Sequence, residues 1–477
     1  MEFKFDKERL EKLERLKEEG IEPYGSRFDL ELHSIDIKEN FEKLEGKDTK
    51  VAGRIIAKRD HGKIKFIDLQ DEEGSIQVYF SEKHTDKKTV KTAEELDTGD
   101  IIGVTGTIIK TKTNEISIDA KDITILSKAL LPMPSRWYGL EDTEKRYRKR
   151  YLDFIINRES LEKIKKGNII LSKIREIMEK NKYIEVIVPI LQPIPGGANA
   201  KPFITHYNSL DRDFYLKIAS ELYLKRMLVG GFERVFDISK NFRNEGVDTR
   251  HNPEFMMMEA YQAYGDLSSM LQLTEEIVKE SVYAANKTYQ VKFGEKMIDL
   301  SKFQIKTMEE MVKDNLGISD EVEIIKRGKQ IDSKVNSYGE AVNAVFEAKI
   351  SDNIVNPVFV TKFPIEVSPL AKKIESDPRF VYRFELYIAG MEIANAFSEL
   401  NDPIDQISRF EEEAKRKNRG IDETQEFDKD FIESMGYGMP PAGGVGIGID
   451  RLQMIGTDSK SIKEVIPFPQ LRTFEEQ

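Results

Sequence analysis

From residue 48 to residue 127 apolar and polar positions alternate in short runs, VAGRIIAKR, KIKFIDLQD, SIQVYF, DIIGVTGTIIKTK and EISIDAKDITIL, with turn pairs at His61-Gly62 and Glu73-Gly74. Alternation with period two puts every second side chain on one face, so these runs predict five strands, a number that suits a small closed barrel. Ahead of them the spacing is helical: Leu10, Leu13 and Leu16 recur among charges over residues 6–19, as on a surface helix packed against a neighbour. Beyond residue 150 a second helix is predicted over 160–181, with Ile169, Ile170, Ile174, Ile177 and Met178 at helical spacing and Asn181 at its end. IEVIVPIL then reads as a strand interrupted by Pro189, which removes a ladder donor and places the segment at an edge or an interface. Strands and helices alternate to the end without a regular βαβ rhythm, which favours an antiparallel sheet flanked by helices. The pattern divides the chain into a helical extension at 1–47, a barrel at 48–128, a linker at 129–150 marked by Pro132, Pro134 and Gly139, and a larger α+β domain at 151–477.

Composition narrows the chemistry. At 477 residues the chain exceeds what one core organises, and 39% hydrophobic with 33% charged residues describes a globular protein. No apolar run approaches the ~20 residues of a membrane helix, and the N-terminus MEFKFDKERLEKLERLKEEG is a charged helix rather than a signal sequence, so a cytoplasmic protein is expected. Zero cysteines exclude disulfides, thiolate-bound zinc and a thiol nucleophile, and 5 histidines leave little for a transition-metal cluster; oxygen-ligated magnesium stays open. Lys and Arg number 74 against 85 Asp and Glu, a net charge of −11 that argues against indiscriminate nucleic-acid binding but not against a local basic track. KRYRKRY at 145–151 is such a track, able to meet phosphates or to cover an acidic helix. Neither GxGxxG nor a P-loop occurs, so a Rossmann or Walker-type nucleotide site is not supported.

Three stretches carry chemistry. FRNEGVDTRHNPEFMMMEAY at 242–261 reads as strand, loop, strand: Gly246, Asp248 and Asn252-Pro253 break it, and Phe255, Met257, Glu259 and Tyr261 then share one face. It could present the Arg243 fork to an anionic phosphorus centre and the Phe255 face to a flat base, or be a charged edge that resists aggregation. In RFELYIAGMEIANAFSELND at 383–402, Asn395, Phe397 and Glu399 fall on one strand face, while Glu385 and Glu392 would repel across a shared space unless a cation lay between them. Magnesium with a triphosphate would satisfy that pair. In PPAGGVGIGIDRLQMI at 440–455, glycines precede Asp450-Arg451 and a helix start, where an anion could bind or backbones simply pack closely. For the barrel, an OB-fold is the leading choice, and Phe66 and Gln77 could stack on a base and bond its edge or be ordinary strand residues.

Taken in order, these pieces resemble the class II aminoacyl-tRNA synthetases, and among them the lysyl-tRNA synthetases. The resemblance covers nearly the whole chain. The helix and strand ending at Pro189 look like the first class signature, FRNEGVDTRHNPEF at 242–255 like the second and GIGIDR at 446–451 like the third, with PGGANAKPFITHYNSLD, ELYLKRMLVGGFERVFDISKNFRNEG, EVSPLA and NAFSELND between them. It implies an OB-fold anticodon-binding domain and a catalytic domain that dimerises through the first signature. Arg243 would grip the α-phosphate of ATP and the amino-acid carboxylate, Arg451 the γ-phosphate, and Phe255 would stack on adenine with Glu245 and His251 nearby. Glu385 and Glu392 would hold Mg²⁺. Glu221 and the backbone at Gly197 would receive the α-amino group, with Glu259, Tyr261, Asn395, Phe397 and Glu399 around the side chain. Arg59, Phe66, Gln77 and Glu115 match the family's anticodon readers. The partners implied are L-lysine, ATP, tRNA(Lys) and a second copy of the chain, with no membrane. Lys201, Ala442 and Ala260 stand where the family usually has arginine, threonine and leucine, and none removes an implied ligand.

Charge supports that reading separately. A pocket supplied with Glu221, Glu259 and Glu399 calls for a cationic side chain and repels aspartate, whose relatives share the architecture. Two other readings stand beside it: a nucleic-acid-binding protein that kept the fold but lost catalysis, and an enzyme that lysylates a protein. Retention of the whole residue set weighs against the first and the barrel against the second.

Overall fold

The alternating runs form β1 (Asp48–His61), β2 (Ile64–Gln70), β3 (Ser75–Ser81), β4 (Ile101–Lys110) and β5 (Ile116–Ser127), a barrel closed in the order β1-β2-β3-β5-β4. All its pairings are antiparallel except β3 with β5, which runs parallel. Inward positions such as Ile55, Ile67, Val78, Val104 and Ile118 are fully buried, as period-two alternation requires. The computed structural model describes residues 4–83, 85–134, 142–418 and 426–471, so Gly139 and the middle of the expected linker lie outside the described residues. The chain separates into two units, 1–139 and 140–477.

The N-terminal helix Lys7–Glu18 is capped by Asp6, whose carboxylate accepts from Arg9 N at 3.0 Å. Its buried row is Arg9, Leu13 and Leu16, not the expected leucine stripe, and Leu10 is exposed. At ~100° per residue, two successive i,i+3 steps carry Leu10 about 120° from Leu16, whereas Arg9 stays in line with it. Ion pairs from Lys12 to Asp97 at 2.6 Å and from Arg15 to Glu95 at 2.9 Å fasten this helix to the barrel unit.

The second unit is built on β6 (Ile184–Glu185), β10 (Arg234–Phe242), β11 (Glu254–Ala263), β14 (Gln304–Thr307), β15 (Val358–Pro364), β16 (Lys373–Ile374), β17 (Asp377–Ile388), β18 (Met391–Ser398) and β19 (Ala442–Gly448). Their order is β14-β15-β17-β18-β19-β11-β10-β6, with β16 alongside β17. Outside this sheet, β7 (Leu191–Gln192), β8 (Ile204–Tyr207) and β9 (Arg212–Leu216) form a small sheet, and β12 (Gln290–Phe293) and β13 (Lys296–Asp299) a hairpin. The main sheet is mixed rather than purely antiparallel, because both ends add a parallel pair, β14 with β15 and β6 with β10. The chain reaches each end strand through a long connection, which allows it to return in the same direction.

Helices Arg158–Lys180 and Leu267–Asn286 pack Ile170, Ile174, Met270 and Ile277 against Met258, Ala260 and Ile447 of the sheet. Ile169 is exposed because it points about 100° away from the Ile170 row. IEVIVPIL is not one strand. Only β6 and β7 pair, in different sheets, and Ile184, Ile187, Ile190 and Leu191 are exposed, Ile187 at 89%. The basic track turns inward in part: Arg146 and Arg150 both pair with Asp153, at 2.7 and 2.8 Å, and Arg150 is buried.

Candidate active site

β10 and β11 form the hairpin expected from the alternation around 242–261, paired from Arg234↔Gln262 to Phe242↔Glu254. Arg243 leaves the end of β10, and its backbone N–H donates to Pro253 O at 2.9 Å, closing the base of the loop. Its guanidinium carbon lies 5.1 Å from the Phe255 ring centroid, and Nε is buried without a hydrogen-bond partner. Desolvation draws the Arg243 pKa down while Glu392 and Glu245 hold it up; an arginine stays charged through such a shift. A half-buried guanidinium whose buried Nε is an unused donor is a site prepared for an anion.

Arg451 stands in the first turn of the helix Ile449–Gly456 that continues β19. Its Nη1 donates to Glu392 O at 2.8 Å, and its Nη2 lies 3.1 Å from His251 Nε2. The other ring nitrogen of His251 lies 2.8 Å from Asp248 Oδ2. Asp450, buried and raised in pKa by that burial, accepts from Met256 N at 2.7 Å and so fastens the helix start to β11. One cleft is lined by Arg243, Glu245, His251, Phe255, Glu392 and Arg451 together, all of them residues expected at the nucleotide.

A second cleft adjoins it, lined by Gly197, Glu221, Arg243, Glu259, Tyr261, Glu385, Glu392, Asn395 and Phe397. Arg243, Met257, Glu392 and Gly446 line both, so Arg243 stands at the seam. Gly197 has φ +85°, and a Cβ there would come within 2.9 Å of Glu221 Cβ, so only glycine lets this loop lie against the helix Glu221–Val229. Glu259 is buried, accepts from Ser220 N at 2.8 Å, and is pushed up to about 7 by burial. Tyr261 beside it is raised by burial among Glu221, Glu259 and Glu399. Glu399 is buried behind Tyr261 and Gly444 rather than in the lining: a Cβ on Gly444 would collide with Glu399 Oε1 and the Tyr261 ring. Burial raises its pKa as well.

Glu385 and Glu392 both face this second cleft. Glu385 is buried, held by Arg383 and by the Tyr387 hydroxyl at 2.6 Å, and raised in pKa first by burial and then by the Glu392 charge. Such a pair suits an oxygen-ligated divalent cation, since each carboxylate oxygen keeps a lone pair beyond the bonds made here. No group of three or more His, Asp or Glu arranged for a metal occurs among the described residues.

Some contributors escaped the sequence reading. Lys225, one helical turn after Glu221, is buried between Glu221 and Glu399, an i,i+4 acid–base spacing that was there to be noticed. Arg383 donates to Asn395 Oδ1 at 3.1 Å and lies 5.4 Å from the Phe397 ring centroid, positioning two expected pocket residues from the neighbouring strand. Nothing local in the sequence marks it out.

In the barrel unit, register places Arg59 opposite Phe66, Phe66 opposite Tyr79 and Asp68 opposite Gln77, so Arg59, Phe66 and Gln77 share the outer face. Phe66 meets the His61 and Tyr79 rings at 6.0 and 5.6 Å. Arg59 makes a two-pronged bond to Asp68 at 2.8 and 3.0 Å, and Gln77 accepts from Ser117 Oγ at 3.1 Å. Glu115 is exposed in the turn before β5.

Comparison with known proteins accounts for both units. A family model described as tRNA synthetases class II (D, K and N) matches residues 142–472, and an OB-fold nucleic acid binding domain matches residues 49–126. The chain belongs to the class II tRNA synthetases. Its relatives include a lysine–tRNA ligase of Syntrophomonas wolfei subsp. wolfei, 47% identical across 98% of this chain and 96% of the relative. Lysine–tRNA ligases of Carboxydothermus hydrogenoformans, at 47% identity, and Moorella thermoacetica, at 45%, cover 98% of this chain and 97% and 98% of their own lengths. Membership of this synthetase family bears out the expected α+β architecture with an OB-fold barrel and makes ligase the class of activity.

Proposed function

We propose that the chain is a lysine–tRNA ligase, which activates L-lysine with ATP to lysyl-adenylate and pyrophosphate and then transfers lysine to the 3′-terminal ribose of tRNA(Lys). The observation that carries this reading is Arg243 at the seam of two clefts, one also lined by Arg451 and His251 and the other walled by Glu221, Glu259 and Tyr261. A guanidinium there can hold the lysine carboxylate and the α-phosphate at once, converting their encounter into an in-line attack within one site. Arg243 and Arg451 then offset charge on the phosphorus centre and the departing pyrophosphate, and no protein nucleophile is required.

In this reading Glu221 and the Gly197 loop receive the α-amino group, and Glu259, Tyr261, Asn395 and Phe397 surround the side chain, with Glu399 adding its charge from behind Tyr261. Phe255 stacks on adenine, and Glu245 and His251 contact the nucleotide. Glu385 and Glu392 would hold Mg²⁺, which when bound would neutralise phosphate charge. The acidic walls separate lysine from the other amino acids of the family: aspartate would face like charge, and asparagine would leave buried carboxylates without a cation, at a cost of about 2–5 kcal/mol. On the barrel, Arg59, Phe66, Gln77 and Glu115 read the anticodon, by stacking and edge contacts of the kind single-stranded RNA invites. Two copies pair through the exposed Ile184, Ile187, Ile190 and Leu191, whose apolar surface needs a cover. No described helix is long and apolar enough to cross a membrane, and we assign the enzyme to the cytoplasm, where ATP, lysine and tRNA meet.

ATP–pyrophosphate exchange with each of the twenty standard amino acids, with magnesium and without tRNA, tests the reading. Exchange with lysine alone is expected. Exchange with aspartate or asparagine would overturn the pocket assignment, and no exchange with any amino acid would overturn activation itself.

A further inference from the structure

Two buried carboxylates, Glu221 and Glu259, line the amino-acid cleft, a third, Glu399, is buried behind its wall, and one ammonium is built in between Glu221 and Glu399. Lys225 is fully buried, with Nζ 2.5 Å from Glu221 Oε1 and 2.5 Å from Glu399 Oε2. The Tyr261 and Phe431 ring centroids lie 6.0 Å from that nitrogen, so apolar and aromatic surface confines it. Glu221 accepts a hydrogen bond from it and Glu399 Oε2 meets it as an ion pair, whereas the buried Oε1 of Glu399 has no hydrogen-bond partner. Oε1 of Glu399 abuts Gly444 and the Tyr261 ring, two residues of the cleft wall. The other buried lysine nearby, Lys217, is matched separately by Asp237 at 2.8 Å.

We infer that Lys225 is a positioning residue that sets the charge the cleft presents to its substrate, holding Glu221 and Glu399 together and leaving Glu399 with acceptor capacity for an incoming ammonium. This rests on the lysine reading above. When ionised, the three carboxylates Glu221, Glu259 and Glu399 against one ammonium leave two negative charges, the number that the α- and side-chain ammonium groups of lysine neutralise. Arg243 answers the substrate carboxylate. Without Lys225 the three carboxylates would crowd one another in a desolvated space, and at least one would stay protonated and unable to act as an ionic partner. Burial already raises Glu399, and Lys225 opposes that rise more than any other neighbour, with Glu221 and Glu259 acting the other way. Removing the cation therefore moves Glu399 ionisation, and the lysine binding that needs it, to higher pH.

The test is the lysine KM in ATP–pyrophosphate exchange by the full-length enzyme, from pH 6 to pH 9, for wild type, Lys225→Met and Lys225→Arg, alongside their melting temperatures. The substrate's own amines titrate equally in all three, so differences report the pocket. For Lys225→Met we expect lysine KM raised about tenfold at pH 7, recovering as pH rises, with KM for ATP and kcat changed less than threefold. Lys225→Arg keeps the charge and should retain the wild-type pH profile. A Lys225→Met enzyme that melts lower but keeps the wild-type lysine KM and pH profile would overturn the inference and make Lys225 a structural ion pair. Should that variant not fold, a folded Lys225→Arg whose profile moves by a pH unit or more would overturn it as well. Failure of the wild type to exchange with lysine at all would sink the lysine reading instead.

Discussion

The two candidate surfaces of this chain hold their charges in opposite ways. In the catalytic unit buried polar atoms at or behind the clefts are incompletely satisfied: Arg243 Nε and Glu399 Oε1 lack hydrogen-bond partners, and Glu259 and Glu385 are raised by burial. On the barrel face the corresponding groups are more open and already paired, Arg59 with Asp68 and Gln77 with Ser117. Unmet buried groups cost stability until a ligand arrives, so they bind with large differential energy and in fixed geometry. Exposed, internally paired groups can exchange partners at little cost, which suits a surface that must take up and release a large nucleic acid.

The largest effect is expected from Arg243→Ala. Losing this cation at the seam should lower kcat/KM in pyrophosphate exchange about 10²–10³-fold, with little change in far-UV circular dichroism. A loss below tenfold would place the reacting groups elsewhere. Next, Glu259→Gln should raise lysine KM about 30-fold, equivalent to about 2 kcal/mol for a charge pair broken on one side. The wild-type pH profile sharpens this. Because burial lifts Glu259 to about 7, its ionised form is present above that pH and lost below it, so lysine KM should fall as pH rises through about 7. Glu259→Gln should take one proton out of the slope of log KM against pH, and an unchanged slope would remove Glu259 from the binding equilibrium. A smaller effect belongs to the barrel. Phe66→Ala should raise the tRNA KM in charging about tenfold, since stacking contributes ~1–3 kcal/mol per base, while leaving exchange intact; equal loss of both would refute the barrel's role.

What was legible from sequence follows the range over which each signal acts. The hairpin with Arg243 and Phe255 and the strand-to-helix step at Arg451 show as local alternation, turn residues and spacing, and the structure brings them to one cleft. The barrel could be read because five period-two runs need only one another. Lys225 is legible only in part, as the i,i+4 partner of Glu221, because its second partner Glu399 is distant in sequence and only packing places them 2.5 Å apart. The parallel strands at the sheet ends were illegible for the same reason: β6 is two residues long and finds β10 only through the tertiary fold. Leu10 and Ile169 were misplaced by counting apolar recurrences without following the angle that each step adds.

The smallest expected effect is also the one in which the two surfaces differ in sign. Asp68 holds Arg59 from a neighbouring strand, with the Arg59 side chain 48% exposed and that of Asp68 28% exposed. An ion pair so open contributes at most about 1 kcal/mol, so Asp68→Ala should scarcely move the melting temperature. If Arg59 meets tRNA, it must first leave Asp68, and removing that competitor should lower the tRNA KM about twofold at low salt, with a steeper loss of binding as salt rises. Removing a carboxylate from the cleft, by contrast, should weaken binding of its ligand, because there the carboxylate supplies the charge that the ligand's cation answers. Charging assays at two ionic strengths decide the matter: a tRNA KM that rises in Asp68→Ala, or fails to move at either salt, would mean that the pair is part of the recognised surface or that Arg59 takes no part in recognition.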